Sequence, residues 1–275
     1  MKSFFKRFFS KSKILFFTSV ANALVLLKDW KFVYKLMTFL ILFSFFLSGV
    51  IYGVFIEYWY INPKNSQLDM PRLYNFNVLV SFWSVQTNIL ACLYFFYVLL
   101  YHNKTATNKF TNLTTQTSIT IYITVTMVLF WLLVFYGVGT GISYEFASNA
   151  DRVIGITMHA ITPLLTLIYL LLSLGKNQIL YKKYFTRQIF WMLGYPIGYL
   201  IFINLRAKLL YDDGIRIFLF PYEFVDFYHP IFPLPVVWNN ILLVGLGISF
   251  LVGINVILIV INNVIYKKTK HISKK

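Results

Sequence analysis

Apolar residues in this chain form long unbroken runs, with neither the alternation of a strand nor the one-sided stripe of a soluble helix. A helix rises about 1.5 Å per residue, so roughly 20 apolar residues cross a hydrocarbon core about 30 Å thick. Six runs read as spans on this basis: Leu36 to Ile56, Val78 to Tyr101, Ile119 to Gly139, Val153 to Leu174, Gln188 to Ile203, and Asn240 to Ile265. The fifth is the shortest. An earlier run, Ile14 to Leu27, is shorter still and holds Thr18, Ser19 and Asn22. Lysines follow it rather than a cleavage site and a soluble domain, so it reads as an interfacial helix and not a signal peptide. The expected fold class is all-α, a polytopic bundle of six transmembrane helices.

The loops sharpen that picture. Between the fifth and sixth runs, residues 204–239 carry Pro221, Pro230, Pro233 and Pro235 among many aromatics, which forbids one regular helix and predicts a cap over the outer ends of the spans. Gly49 with Gly53, Gly137 with Gly141 and Gly194 with Gly198 are small-residue pairs that could let helices approach closely. No internal repeat points to a two-half transporter.

Charge supplies an independent test, because cytoplasmic loops near spans are enriched in Lys and Arg. With six spans and both termini inside, 19 of the 25 basic residues fall on the cytoplasmic side, and every acidic residue except Asp29 falls outside. Counting Ile14 to Leu27 as a seventh span would strand five basic residues outside. The expected organisation is a basic cytoplasmic N-terminus over 1–35, a membrane domain over 36–265 with its outer cap at 204–239, and a basic cytoplasmic tail over 266–275. The location this implies is the cell membrane.

Composition agrees: of 275 residues, 59% are hydrophobic and 12% charged, about half the charge of a soluble domain. The net charge of +16 does not indicate nucleic acid, because the basic residues flank apolar runs instead of forming a soluble basic domain. The expected partners are membrane lipids. Cys92 is the single cysteine, so no intrachain disulfide or cysteine metal site is expected. No glycine-rich phosphate loop is present, and no cofactor is expected.

Candidate chemistry is sparse. His159 is the one ionisable residue well inside a run, and such a group usually faces protein or a water-filled cavity. In the expected topology the second and fourth helices both enter from the outer face, so His159 lies at a depth comparable with the polar cluster Ser81, Ser84, Gln86, Thr87 and Asn88. Ser84, Thr87 and Asn88 share one helical face. One reading is nucleophilic catalysis, with His159 taking a proton from Ser84 or Thr87 while Asn88 or Gln86 donates to a developing oxyanion. The other is structural, with hydroxyls bonded to their own helix carbonyls and carboxamides joining helices. Thr162 and Pro163 read as a bend in the helix. In the cap, Asp212, Asp213, Glu223, Asp226 and His229, with Arg206 and Arg216, read as a solvated rim, since their spacing matches no metal motif.

Four stretches, FWSVQTNIL, HAITPLL, GYPIGYL and FPYEFVDF, together resemble the bacterial Pr-six-Pr family of six-span membrane proteins. That family is more distantly similar to the androgen-induced-gene family, threonine hydrolases of fatty acid esters of hydroxy fatty acids. The resemblance implies His159 as the histidine of the pair. It places Ser84 where the usual threonine stands, with Thr87 as the alternative nucleophile, and it matches Asn88, Tyr195, Pro196, Pro221, Tyr222 and Asp226 to family positions. Asn88, Gln86, Asp226 and Tyr222 are the candidate substrate-binding residues. The leading function is an intramembrane hydrolase of lipid or fatty-acid esters using a Ser/Thr-His pair in the outer leaflet; the alternative is a non-enzymatic lipid- or solute-binding membrane protein such as a permease or assembly factor.

Overall fold

A computed structural model describes residues 25–62, 70–102, 110–137 and 145–272, apart from the side chains of residues 133 and 134. Six helices are long and apolar enough to cross a membrane: Trp30–Ile56, Trp83–Leu100, Leu113–Leu132, Asn149–Leu171, Tyr181–Asp212 and Val236–His271. The chain is thus an all-α, multi-pass integral membrane protein, with no strand among the described residues. Most of the expected interfacial helix Ile14 to Leu27 lies outside the described residues; only Val25 to Leu27 are seen, and they are helical.

The first span is α1 (Trp30–Val50), continued by a π-helical segment Ile51–Ile56. The second is α3 (Trp83–Leu100), preceded by the shorter α2 (Pro71–Ser81). The third is α4 (Leu113–Leu129) with a π segment Phe130–Phe135. The fourth joins α5 (Asn149–Ile156) to α6 (Thr162–Leu171) through the π segment Thr157–Ile161. The fifth runs through Tyr181–Lys183 and the π segment Tyr184–Gln188 into α7 (Ile189–Asp212), and the sixth is α8 (Val236–Ile272).

The packing is that of a protein whose solvent is lipid. Leu40, Phe43, Leu47 and Ile51 of the first span are exposed, while Thr38, Asn88, Thr126, Thr162 and Thr166 are buried between helices. Lipid chains are as apolar as leucine, so apolar burial does not hold the spans together; polar contacts and close packing do. Of the small-residue pairs, Gly49 and Gly53 pack, against Ile154 and Trp59 respectively, whereas Gly194 and Gly198 meet nothing nearby. Gly141 lies outside the described residues.

Two prolines explain much of the polar architecture. Pro196 lies inside α7, and having no N–H it frees the carbonyl of Met192 four residues earlier. The Tyr122 hydroxyl of α4 donates to that carbonyl. Pro163 does the same to the fourth span beside its π segment, leaving the carbonyls of Met158 and His159 needing partners. Trp131 Nε1 donates to His159 O at 2.9 Å. Asn88 Nδ2 donates to Met158 O at 3.1 Å, and Thr162 Oγ1 lies at the same distance, sharing its one hydrogen between that carbonyl and Asn88 Oδ1. In a membrane such repairs are obligatory, because no water is at hand for an exposed carbonyl.

The boundaries depart from the sequence reading in four places. The second span is interrupted at Phe82, whose extended backbone (φ −69°, ψ 131°) separates α2 from α3, so Val78 to Ser81 belong to a different helix. No proline or glycine causes this break. It is held by side chains that take the freed carbonyls, Gln86 Nε2 to Val80 O at 2.9 Å and Tyr199 OH to Ser81 O at 3.1 Å. The fifth span runs on to Asp212, so Asn204 to Asp212 are helix and the non-helical cap is shorter than 204–239. The sixth continues through Lys267, Lys268 and Lys270 to Ile272. Lys35, expected in the basic N-terminal segment, lies inside α1 and is buried.

At the end opposite the cap, Asn262 and Asn263 of α8 clamp the connector between the fourth and fifth spans. Asn262 Oδ1 accepts from Gly175 N at 2.8 Å, and Asn263 bonds both the N–H (2.9 Å) and the carbonyl (2.8 Å) of Ile179.

Candidate functional site

The polar residues expected to gather around Ser84 and His159 bond to different partners. Thr87 Oγ1 donates to the Ser84 carbonyl at 3.0 Å and pairs with Thr126 Oγ1 of α4 at 2.9 Å. Asn88 Nδ2 bonds Ser84 O at 2.9 Å as well as Met158 O, and its Oδ1 accepts from Thr162 Oγ1 at 2.6 Å. Asn88 is therefore the residue that joins the second span to the fourth. Gln86 is spent on the break at Phe82.

His159 lies beside this network without entering it. Its Nδ1 donates to Gly155 O at 2.8 Å, which makes Nδ1 the protonated nitrogen, because a carbonyl can only accept. The ring stacks on Phe130 of the third span with centroids 3.7 Å apart. No hydrogen bond joins His159 to Ser84 or Thr87 among the described residues. A nucleophile and its base belong within about 3 Å of each other, though such bonds can be looser before substrate binds.

Ser84 stands apart from the other hydroxyls. It occupies the first turn of α3, whose cap residue Phe82 offers no side-chain acceptor. The Tyr222 hydroxyl from the loop over this end faces the Ser84 hydroxyl and backbone instead. Burial pushes the Tyr222 phenol up to about 12, so it stays neutral at physiological pH and serves as a hydrogen-bond donor or acceptor rather than a base. Around it Trp83 packs against Tyr195 and Tyr199, with centroids 4.8 and 5.0 Å away. Asp226 is turned inward on its own loop, accepting from Tyr228 N at 2.9 Å and holding His229 Nδ1 at 2.7 Å, and it does not reach Ser84.

The residue that organises the cap end is Arg206, which the sequence reading left in a solvated rim. It is 5% exposed. Its Nε donates to Asn77 Oδ1 of α2 at 2.6 Å, and its Nη1 donates to the carbonyls of Phe218 and Leu219 at 3.1 and 2.7 Å. One guanidinium thus ties α7, α2 and the cap loop together. Among the described residues no carboxylate lies within salt-bridge distance of it; Asp212 of the same helix is taken by Lys208, at 2.5 Å. Among the described residues Arg206 Nη2 is buried without a hydrogen-bond partner, and so is the Tyr74 hydroxyl of α2, which is near enough to the guanidinium to interact with it electrostatically. The clue to this residue is positional, since the segment NLRAKLLYDD carries the helix of the fifth span past Ile203 and brings Arg206 inward.

Among the described residues no group of three or more histidine, cysteine or acidic side chains is placed to hold a metal ion. No protein-family model matches the chain, and neither the curated proteins nor the solved structures contain a significant match.

Proposed function

We propose that this integral membrane protein binds an anionic amphiphile at its cap end, with Arg206 taking the charged group. The observation that carries the reading is a guanidinium buried between helices with no counter-ion among the described residues and with one face, Nη2, without a hydrogen-bond partner among them. A buried charge normally has a partner, and an ionisable group at membrane depth marks a functional position by default. Arg206 Nη2 and the Tyr74 hydroxyl offer two donors to a carboxylate or phosphate oxygen. The aromatic residues about Trp83 and the exposed apolar faces of the spans suit the rest of a lipid.

This is the lipid-binding alternative of the sequence reading, and the bonds around Pro163 favour it over catalysis. Asn88 and Thr162 are occupied in repairing a helix, Thr87 in pairing with Thr126, and His159 in bonding Gly155. The hydrolase reading keeps one specific support, the Ser84 hydroxyl on the first turn of an interrupted helix, together with the four stretches that resemble the Pr-six-Pr family. In that reading Tyr222 occupies the place of an ester oxygen until the cap moves.

The test is retention of oleate or phosphatidate by the purified protein, read by native mass spectrometry. The wild type is expected to hold one or the other, Arg206→Gln to hold it about tenfold more weakly, the loss of one charged hydrogen bond, and Lys208→Gln to match the wild type. Arg206→Lys, which keeps the charge, covers the case in which the glutamine variant does not fold. Equal retention by the wild type and a folded Arg206→Gln would overturn the reading.

A further inference from the structure

At the end opposite the cap, the first four spans leave a cavity of about 480 Å³. That volume is within the range of small-ligand sites. Its walls come from the start of α1, from His102 just beyond α3, from the start of α4, and from the end of α6 with the connector that follows. Lys31, Lys35 and Lys176 line it against a single carboxylate, Asp29.

That carboxylate is already committed. Asp29 Oδ1 accepts from Lys31 N at 2.8 Å, capping α1, and Oδ2 accepts from His102 Nε2 at 2.8 Å. The hydrogen bond from His102 is the largest influence holding the Asp29 carboxyl below its ordinary range. The other ring nitrogen, His102 Nδ1, accepts from Lys35 Nζ at 3.1 Å. Lys35 is 5% exposed, and its ammonium also lies 5.9 Å from the centre of the Tyr169 ring. None of the three lysines has a carboxylate within salt-bridge distance among the described residues. They are close enough to repel one another. Burial, with repulsion from Lys31 added, depresses the Lys176 ammonium below the ordinary lysine range.

The neutral groups of the wall, by contrast, are matched. Gln116 Nε2 donates to Tyr169 O at 3.0 Å and Ser173 Oγ at 3.1 Å, and the Tyr34 hydroxyl donates to Leu165 O at 2.6 Å. Among the lining residues positive charge is in excess, three lysines against the one carboxylate of Asp29. Its lip is apolar, since Trp30 and Leu172 line it and are 57% and 46% exposed. A charged floor with an apolar lip at a span's end is the arrangement by which membrane proteins hold lipid headgroups.

We propose that this cavity binds the phosphate of an anionic phospholipid, with Lys35 and Lys176 on the phosphate oxygens and the acyl chains leaving over Trp30 and Leu172. The site is separate from Arg206 and does not depend on it.

The experiment is thermal unfolding of the purified full chain in detergent with phosphatidylglycerol, phosphatidylcholine or inorganic phosphate added. Phosphatidylglycerol is expected to raise Tm saturably, and the other two to leave it unchanged. The measurements are made in an Arg206→Gln background, which removes any contribution of the cap end and should keep a saturable response to phosphatidylglycerol. In that background Lys176→Gln should weaken the apparent affinity about tenfold, as expected for one lost charge-assisted contact, and Lys35→Gln should abolish the response. Lys35 is buried and its variant can fail to fold, whereas Lys176 is exposed enough for its substitution to be tolerated, so Lys176→Gln decides the matter alone. An equal shift with phosphatidylcholine, or an unchanged affinity in Lys176→Gln, would overturn the site. A saturable shift with inorganic phosphate alone would overturn its assignment to a lipid.

Discussion

Asn88→Leu is expected to destabilise the protein by about 2 kcal/mol, measured by unfolding in mixed detergent micelles with tryptophan emission as the signal. Asn88 is 2% exposed and makes two bonds to the fourth span, to Met158 O and Thr162 Oγ1, besides one to its own helix. Interhelical bonds in membranes average roughly 0.6 kcal/mol and reach about 1.7. The lower part of the possible range applies here, because no partner is left bare. Met158 O still accepts from Thr162, and Ser84 O still accepts from Thr87. Thr162→Val, which keeps the Asn88 bond to Met158, should cost only about 0.6 kcal/mol. If Asn88→Leu were neutral, the cluster would not be the joint between the two spans.

Gly175→Ala should cost more, about 3 kcal/mol, for two separable reasons. Gly175 has φ +76°, a left-handed conformation that costs an ordinary residue about 1 kcal/mol. An added Cβ would also lie 2.4 Å from Ile265 Cγ2 and 3.4 Å from the Ile265 backbone, an overpacking worth about 2 kcal/mol. The position is held by Asn262, so the connector cannot simply swing away. Pairing the change with Ile265→Ala removes the nearest clash and leaves the backbone strain. The double variant should therefore lose less than the two single losses added together, by about 2 kcal/mol. Strict additivity would show that Gly175 and Ile265 do not meet.

How much of this was open to the sequence depends on the kind of contact. The six spans read directly from apolar runs because lipid imposes a minimum length that few other structures satisfy. The break at Phe82 does not read, since neither proline nor glycine marks it and its stabilising bonds come from Gln86 and from Tyr199, which is 118 residues from the Ser81 carbonyl it bonds. His159 is visible as an ionisable group inside an apolar run, and the proline at 163 as a bend. That the two belong together, with Asn88, Thr162 and Trp131 serving the carbonyls that Pro163 frees, requires the packing of three spans. Arg206 is hidden for a different reason: a span judged to end at Ile203 puts it in a loop, where an arginine raises no question. The same holds for Lys35, since charge counting speaks to the side of the membrane and not to depth, and the residue lies buried inside α1.

Binding rather than cleavage is the central functional claim, and it is tested most directly by reacting the detergent-purified protein with a fluorophosphonate probe and mapping any adduct by peptide mass spectrometry. The account predicts no labelling of Ser84 or Thr87 above that of a Ser84→Ala, Thr87→Ala double variant, with or without lipid present. Labelling of either hydroxyl that disappears in His159→Ala would contradict it and establish the hydrolase reading in its place.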